Sequence, residues 1–367
     1  MQFVLPNASP DTGMFPGVLF VHPPPGFLGM QTTERASPLQ IMLSWGCASE
    51  PTFEGEMRTR SIVVDLIFGG DNGYARTTWQ THTNGAWTMK SASTICNFFR
   101  RDAFCGLMEN QVILFIGDSL TKEMWRSLVT LTDGVDVPSN SRPELARTCS
   151  NKTQLNYWRS NRFDDLQHAI SDRFSLGPIE LRNRSSADFP TAIVMNTGSW
   201  YQSTDVYISI MVKTLKYVRD WQEICKKDSL LGCPFVWRTT PPGMLGCMEY
   251  NQPMNNITRA EELLVAGTSG AAAHLHPHLD KYHWTGFREQ NLIAEELLTF
   301  SGWDGLDYEI IDGYEIGITR PDNHVSEKDC LHHPNENLDV PDAYNTVLLH
   351  YLLSMAFDRE KMHRSLG

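Results

Sequence analysis

The segment 112–120 reads Val-Ile-Leu-Phe-Ile-Gly-Asp-Ser-Leu, and its pattern decides the fold class. Its first five residues are all apolar, which is typical of a strand buried on both faces of a parallel sheet. Apolar residues then recur at positions 120, 124, 128 and 131, and this spacing predicts a helix directly after the strand. Ser119 therefore lies at a strand-to-helix turn, where the first N–H groups of the helix are unpaired.

The same alternation continues towards the C-terminus. Apolar runs predict three more strands, at 192–195, 235–237 and 308–311. Amphipathic spacing predicts three more helices, at 208–225, at 292–298 and after Pro341. Strands that alternate with helices predict an α/β fold with a mostly parallel sheet covered on both sides. We expect this domain to span residues 86–367, and residues 1–85, where Pro, Gly and Thr are frequent, to form a small β-rich region.

The composition restricts the partners. The chain has 367 residues, of which 41% are hydrophobic, and a formal net charge of -12. This charge disfavours binding to nucleic acid or to anionic lipid, because both are recognised by basic surfaces. We also find no apolar stretch long enough to span a bilayer, so we expect no membrane segment.

The cysteines and glycosylation sequons bear on the cellular compartment. The eight cysteines include no C-x-x-C pair, which disfavours a zinc ribbon and leaves disulfides open. Asn-x-Ser/Thr sequons begin at Asn7, Asn151, Asn183 and Asn256. Together these features favour the secretory pathway, in the Golgi lumen or outside the cell. The N-terminal residues show no basic region followed by an apolar core, so a cytoplasmic protein with reduced cysteines is the alternative.

A second motif, Asp329-Cys330-Leu331-His332, lies near the C-terminus. A carboxylate three residues before an imidazole can accept a hydrogen bond from Nδ1, which leaves Nε2 to accept the serine proton. Serine, histidine and aspartate are the minimum set for an activated hydroxyl nucleophile. The candidate catalytic residues are therefore Ser119, His332 and Asp329.

Each motif also has a simpler explanation. Asp118 or Ser119 can serve only as a helix N-cap, for which both residue types are favoured. The 329–332 motif can be a surface turn, in which His333 competes with His332 for the role of base. If Ser119 is the nucleophile, we expect Gly117 and Asp118 to belong to the turn that stabilises the oxyanion or binds substrate.

Polar residues follow two more of the predicted strands. Ligands of parallel α/β sheets bind beyond the carboxyl ends of the strands, and Asn196 and Arg238 each follow a strand as Ser119 does. The Asn196 amide and the Gly198 N–H are candidate oxyanion donors, and Arg238 is a candidate ligand for an anionic or polyol group. A strand-end turn explains Asn196 and Gly198 equally well, and a structural ion pair explains Arg238.

Aromatic and histidine-rich positions are weaker candidates. Trp200, Tyr201 and Trp284 could stack on sugar rings, although core packing is the more common fate of such side chains. The tract 274–283 holds four histidines and Asp280, a density that can bind zinc, but its flanks indicate a loop and we predict no metal site.

Four ordered blocks over about residues 87–355 resemble the PC-esterase group, which includes the trichome birefringence-like polysaccharide O-acetyltransferases. The blocks are Phe115-Ile116-Gly117-Asp118-Ser119-Leu120 with Trp125, Ser127 and Leu128; Met195-Asn196-Thr197-Gly198-Ser199-Trp200; Trp237-Arg238-Thr239-Thr240-Pro241; and Asp329-Cys330-Leu331-His332 with Pro341-Asp342-Ala343-Tyr344-Asn345. Trp87 and Cys96 fit the Trp and Cys that precede the first core strand in that family. Three positions depart from the family pattern: Ser199 stands in place of its usual His, and His333-Pro334 in place of Trp-Cys.

The resemblance implies an SGNH-type α/β/α sandwich with a triad of Ser119, His332 and Asp329. It also implies that the serine takes an acyl group and passes it to a sugar hydroxyl. We therefore expect an O-acyltransferase, with acetyl as the expected group and a carbohydrate as acceptor. No bound cofactor is expected, and an acyl donor such as acetyl-CoA is the expected co-substrate. The alternatives are an acetylesterase with the same triad, and a non-enzymatic glycan-binding or interaction protein on the same fold.

Overall fold

The computed structural model describes residues 78–81, 87–90, 99–137, 144–163, 190–201, 203–226, 232–244, 247–254, 256–268, 284–299, 305–326, 329–334 and 339–366. Most of the region 1–85 and the whole histidine tract 274–283 lie outside these residues. The accessory region and the tract therefore stay sequence predictions.

The described residues form nine strands and seven α-helices. The strands are β1 (Thr78–Thr81), β2 (Trp87–Lys90), β3 (Val112–Gly117), β4 (Val135–Val137), β5 (Glu144–Thr148), β6 (Thr153–Arg159), β7 (Ala192–Asn196), β8 (Phe235–Arg238) and β9 (Tyr308–Ile311). The helices are α1 (Arg101–Leu107), α2 (Ser119–Leu131), α3 (Thr204–Cys225), α4 (Ile257–Thr268), α5 (Phe287–Thr299), α6 (Gly313–Ile318) and α7 (Asp339–Leu366).

A seven-stranded sheet has the order β4-β5-β6-β3-β7-β8-β9, and β1 and β2 form a separate antiparallel pair. The five strands from β6 to β9 in this order are parallel, whereas β4 and β5 are antiparallel. The prediction of an α/β fold with a mostly parallel sheet is therefore confirmed. Numbered along the chain, the parallel strands follow the doubly wound order 2-1-3-4-5, in which ligands bind where the strand order reverses. That point lies here between the carboxyl ends of β3 and β7.

Strand β3 shows why an unbroken apolar run was needed at the centre of the sheet. All six of its residues are buried. Ile113 and Phe115 belong to the core on one face, and Leu114 and Ile116 belong to the core on the other. Successive side chains of a strand point to opposite faces, so a strand covered on both faces must be apolar throughout.

Helices cover both faces of the sheet and complete the three layers. The first core contains buried residues of α1, α2 and α7, including Met124 and Val347, and the second contains residues of α3 and α5, including Leu215 and Ala294. A third, smaller cluster joins Leu120 of α2 to Ile318 of α6 and to Leu331. This third cluster packs beside the carboxyl edge of the sheet.

Three disulfides join cysteines of the described chain: Cys105–Cys149, Cys225–Cys233 and Cys247–Cys330. None of the described cysteines is free. Because disulfides persist in oxidising compartments, these bonds indicate a secretory or extracellular environment. Among the helices that the structure describes, none combines the length and apolarity needed to cross a membrane.

Candidate active site

Ser119, His332 and Asp329 form a continuous hydrogen-bonded line at the carboxyl edge of the sheet. Nε2 of His332 lies 2.7 Å from Oγ of Ser119. Nδ1 of the same ring lies 2.9 Å from each carboxylate oxygen of Asp329. The first separation lies within the range over which a hydroxyl proton passes to a general base, and the second is the hydrogen bond that orients the imidazole. The structure thus brings together the three residues singled out in the two distant motifs.

The turn after β3 places Ser119 at the first position of α2, where the side chain is partly exposed. Asp118 is the N-cap, and its Oδ1 accepts a hydrogen bond of 3.0 Å from the Leu120 N–H. The Ser119 N–H is one of the donors that the helix itself leaves unused. The same turn therefore presents the hydroxyl and a backbone donor to one side of the sheet.

The segment 329–334, here called the strap, carries the histidine and the aspartate. Two backbone hydrogen bonds hold it in place. The Val325 N–H donates to the His332 carbonyl at 3.0 Å, and the Met244 N–H donates to the Cys330 carbonyl at 2.9 Å. The Cys247–Cys330 disulfide adds a covalent link to the segment after β8. The strap is thus fixed between the sheet edge and the loop that follows α6.

Arg320 organises that loop from the inside. Its side chain is fully buried, and Nε and Nη2 donate to the two carboxylate oxygens of Asp322 at 2.9 and 3.1 Å. Nη2 also donates to Asp339, in the first turn of α7, at 3.2 Å. A paired, planar guanidinium of this kind is a rigid support. It connects the loop before the strap to the helix after it.

The charges of the pair suit general-base chemistry. Burial works against the charged form of His332, but the hydrogen bond with Asp329 and the charges of Glu123, Asp329 and Asp118 outweigh it and raise the pKa of the imidazole. Burial of the Asp329 carboxyl is likewise outweighed by its hydrogen bonds to His332, which lower the pKa of Asp329 to about 2. Asp329 is therefore ionised near neutral pH and favours the tautomer with the proton on Nδ1.

Asp118 is not a substrate-binding residue, contrary to our sequence prediction. Its side chain is completely buried and caps α2. Burial raises the pKa of Asp118, although the charge of Arg238 and the bond from Leu120 oppose that rise. The N-cap explanation is thus correct for Asp118, while Ser119 next to it keeps its hydroxyl at the imidazole.

Asn196 is also not available as an oxyanion donor in this structure. Its Nδ2 donates to the Arg238 carbonyl at 2.8 Å and to Oγ1 of Thr240 at 3.0 Å, and its side chain is fully buried. Both amide hydrogens are therefore used inside the protein. Asn196 ties the end of β7 to the end of β8.

Arg238 likewise lies beneath the site and cannot reach a substrate, because its side chain is fully buried. Nη2 donates to Oδ1 of Asn196 at 2.7 Å, Nη1 donates to the Thr239 carbonyl at 3.1 Å, and the guanidinium lies 5.2 Å from the centre of the Tyr344 ring. Burial lowers the pKa of Arg238, and Tyr344, Asp118 and Glu123 oppose this effect. Arg238 is therefore a structural residue, and its hydrogen bonds go to neutral groups instead of to the ion-pair partner that we expected.

The two glycines are required by close packing. A Cβ at Gly117 would collide with Thr121 and with the Asn196 carbonyl, and one at Gly198 would collide with Oγ1 of Thr240. Gly117 is buried in the turn before Ser119, and its carbonyl accepts the Ser160 N–H, so a role for it in substrate binding stays a prediction. The Gly198 N–H stays a candidate oxyanion donor alongside the Ser119 N–H.

Two of the three aromatic candidates are buried. Trp284 is 6% exposed and its ring covers Gly243, while Tyr201 is 2% exposed and donates to the Arg162 carbonyl at 2.6 Å. Core packing is therefore their role. Trp200, which follows β7 and directly precedes Tyr201, is partly exposed and stays a candidate for stacking on a sugar ring.

Several residues near the triad were missed by sequence reasoning. Strand β6 ends beside β3, where the Ser160 N–H donates to the Gly117 carbonyl at 2.8 Å, so the segment after β6 also borders the site. The alternation of Leu155 and Tyr157 with polar positions is the signal that predicts this strand. Glu123 of α2 is buried behind the strap, and no sequence pattern signalled it.

Among the described residues, no group of three or more His, Cys, Asp or Glu side chains is arranged to hold a metal ion.

No protein-family model and no curated protein matches this sequence. Among solved structures, a double mutant of a Serratia marcescens short-chain dehydrogenase/reductase is similar over 58% of this chain and 99% of that chain, at 14% identity and a TM-score of 0.22. A likeness of this degree carries no argument. What the fold and geometry define is an α/β sandwich with a serine–histidine–aspartate line at the carboxyl edge of its sheet.

Proposed function

We propose that this protein is an O-acyltransferase that forms an acyl-enzyme on Ser119 and passes the acyl group to a carbohydrate hydroxyl. The observation that carries the proposal is the 2.7 Å contact between Ser119 Oγ and His332 Nε2, with Asp329 on the opposite ring nitrogen. Acetyl as the acyl group, a carbohydrate as acceptor and the Golgi lumen or extracellular space as location rest on the resemblance to the PC-esterase group.

In the first step, Ser119 Oγ attacks the carbonyl carbon of the acyl donor while His332 Nε2 accepts the hydroxyl proton. The negative charge that develops on the carbonyl oxygen is met by backbone donors, for which the Ser119 and Gly198 N–H groups are the candidates. His332 then returns the proton to the leaving group as the bond to the donor breaks. The products of this step are the acyl-serine and the free donor alcohol or thiol.

In the second step, a sugar hydroxyl takes the position of the leaving group. His332 removes its proton, the hydroxyl oxygen attacks the acyl carbon, and Ser119 leaves with the proton that His332 holds. Asp329 stabilises the imidazolium in both steps without itself becoming protonated. If water enters in place of the sugar, the same steps hydrolyse the ester.

The test uses a chromogenic acetyl ester as donor, with and without an oligosaccharide acceptor. Substituting Ser119→Ala removes the nucleophile, and we expect turnover to fall by at least ~10³-fold. Ser203→Ala is the matched control, because Ser203 is an exposed serine at a helix start whose side chain makes no capping hydrogen bond. Intact mass after incubation with the donor should show one added acetyl group on the wild-type protein and none on the alanine variant.

The reaction products distinguish a transferase from an esterase and from a non-enzymatic protein. Ester on the sugar supports the transferase, whereas free acetate alone, even at saturating acceptor, makes the protein an esterase. A wild-type protein that is folded but neither acetylated nor active would be a non-enzymatic member of this fold. Unchanged turnover in Ser119→Ala would contradict the mechanism in either direction.

A further inference from the structure

Glu123 is a buried carboxylate with no part in the two steps above. It lies one helical turn after Ser119 on α2, and only 8% of the residue is exposed. Its Oε1 accepts a hydrogen bond of 3.2 Å from the backbone N–H of His333, in the strap. This bond joins the helix that carries the nucleophile to the segment that carries the base.

The groups that interact electrostatically with Glu123 come from three elements. His332 and Asp329 face it from the strap and Arg238 from the end of β8, and its own charge acts on Tyr344 of α7. Burial is the largest influence and raises the pKa of Glu123 to about 8, while the charges of His332 and Arg238 and the His333 N–H oppose that rise. Burial therefore disfavours the charge of Glu123, whereas an imidazolium at His332 favours it.

The charge of Glu123 in turn reaches the base. After burial and the hydrogen bond with Asp329, the Glu123 charge is the next largest influence on His332, and it raises the pKa of the imidazole. An ionised Glu123 favours imidazolium, which cannot accept the serine proton, whereas a neutral Glu123 leaves the imidazole free to do so. Because each charge shifts the pKa of the other group, the two titrations are linked.

We propose that Glu123 is a positioning residue, which anchors the strap to α2 through its bond to His333 and places a titratable carboxyl against the residue next to His332. This inference rests on the proposed function only for its kinetic readout. The two roles are separable: Glu123→Gln keeps a carbonyl oxygen that can accept from His333 but removes the charge, whereas Glu123→Ala removes both and leaves a buried N–H without its acceptor.

The first experiment needs no activity. The His332 imidazole is titrated by NMR in the wild-type protein, in Glu123→Gln and in the control Glu289→Gln, which changes an exposed glutamate of α5. We expect the midpoint of the His332 titration to move to lower pH in Glu123→Gln and to stay in place in the control. Coinciding titrations of Glu123→Gln and the wild-type protein would overturn the role of the charge.

The second experiment measures the dependence of kcat/KM on pH with the chromogenic ester. In Glu123→Gln the acid limb should move to lower pH and kcat at neutral pH should stay within about threefold of wild type. In Glu123→Ala we expect kcat to fall by about tenfold or more with KM nearly unchanged, since a misplaced base slows the chemical step. Full kcat in a folded Glu123→Ala protein would overturn the anchoring role.

The two proposals can fail separately. If Ser119→Ala keeps full turnover, the triad mechanism is wrong, but the NMR titration still tests the influence of Glu123 on His332. If Ser119→Ala is inactive and Glu123→Gln behaves as wild type in both experiments, the triad stands and the inference about Glu123 is wrong.

Discussion

Ser119 Oγ and His332 Nε2 lie 2.7 Å apart although 213 positions separate the two residues in the chain. The contact exists because a different part of the structure holds each residue in place. Ser119 is placed by a buried parallel strand and a capped helix, and His332 by the strap, which a disulfide and two backbone hydrogen bonds hold in place. Substitutions that disturb either of these supports should therefore lower the turnover that we propose, even at positions that do not contact a substrate.

Asp329→Asn should lower kcat by about 10³-fold or more, because an amide favours the wrong imidazole tautomer. KM should change little, since the substitution affects the transition state. Steady-state kinetics with the chromogenic ester provide the measurement, and Asp307→Asn, which changes an exposed aspartate before β9, is the control. A variant with kcat within a few-fold of wild type would show that Asp329 does not orient the base.

Replacing Cys247 and Cys330 by serine should impair both stability and activity. The bond closes a loop with a sequence separation of 83, and the chain-entropy model assigns such a loop about 4.5 kcal/mol. Cys330 also lies between Asp329 and His332, so its loss should reduce turnover more than global unfolding explains. Thermal unfolding and kinetics on the folded fraction measure the two effects.

The Cys225–Cys233 pair supplies the matched comparison. Its sequence separation is 8, for which the same model assigns about 2.5 kcal/mol. Cys225 ends α3, and both cysteines belong to the core on the sheet face away from α2. Serine at both positions should lower the unfolding temperature but leave kcat of the folded protein near the wild-type value. Equal losses of kcat in the two double variants would argue against a specific role for the disulfide of the strap.

His324 should make the protein sensitive to acid. Its ring stacks on that of His333 at 5.5 Å, and burial lowers the pKa of His324 to about 4 from its ordinary value of 6.5. Between these values the unfolded chain binds a proton that the folded protein does not, so stability is complete above pH 6.5 and decreases as the pH falls. The full loss from His324 alone is about 3 kcal/mol.

The variant His324→Phe cannot be protonated and should flatten this dependence. Urea unfolding at pH 7 and pH 4.5 gives the measurement, and the variant should lose less stability between the two values than the wild-type protein. Burial also lowers the pKa of His333, so part of the dependence should remain. An identical pH dependence in both proteins would mean that His324 does not stay neutral in the fold.

Arg238 and Asp118 should show strong thermodynamic coupling. The buried guanidinium compensates a buried carboxylate, so Arg238→Met should destabilise the fold by about 3–5 kcal/mol. Asp118→Asn can still cap α2 and carries no charge. The double variant should therefore lose less stability than the sum of the two single losses, by about 1 kcal/mol or more. Additive losses in urea unfolding would show that the two charges do not interact.

Much of the architecture could be predicted because it follows from local patterns. Apolar runs marked β3, β7, β8 and β9, and helical spacing marked α2, α3, α5 and α7. Several short elements were not predicted from the sequence. The helices α1 and α6 have 7 and 6 residues, which are too few to show a helical period, and strand β4 has only 3 residues. Their existence depends on packing against elements that are distant in the chain.

The sequence by itself determined the parallel α/β class, the strand-to-helix turn at Ser119, and a carboxylate spaced to reach the His332 ring. Those properties depend on neighbours within a few residues, where backbone geometry leaves few alternatives. Only the tertiary structure decided that the two motifs meet, that Asn196 and Arg238 lie beneath the site, and that Glu123 is buried behind the base. These outcomes depend on which segments share a sheet edge and on which polar groups lose their water there. No local pattern of residues specifies either one.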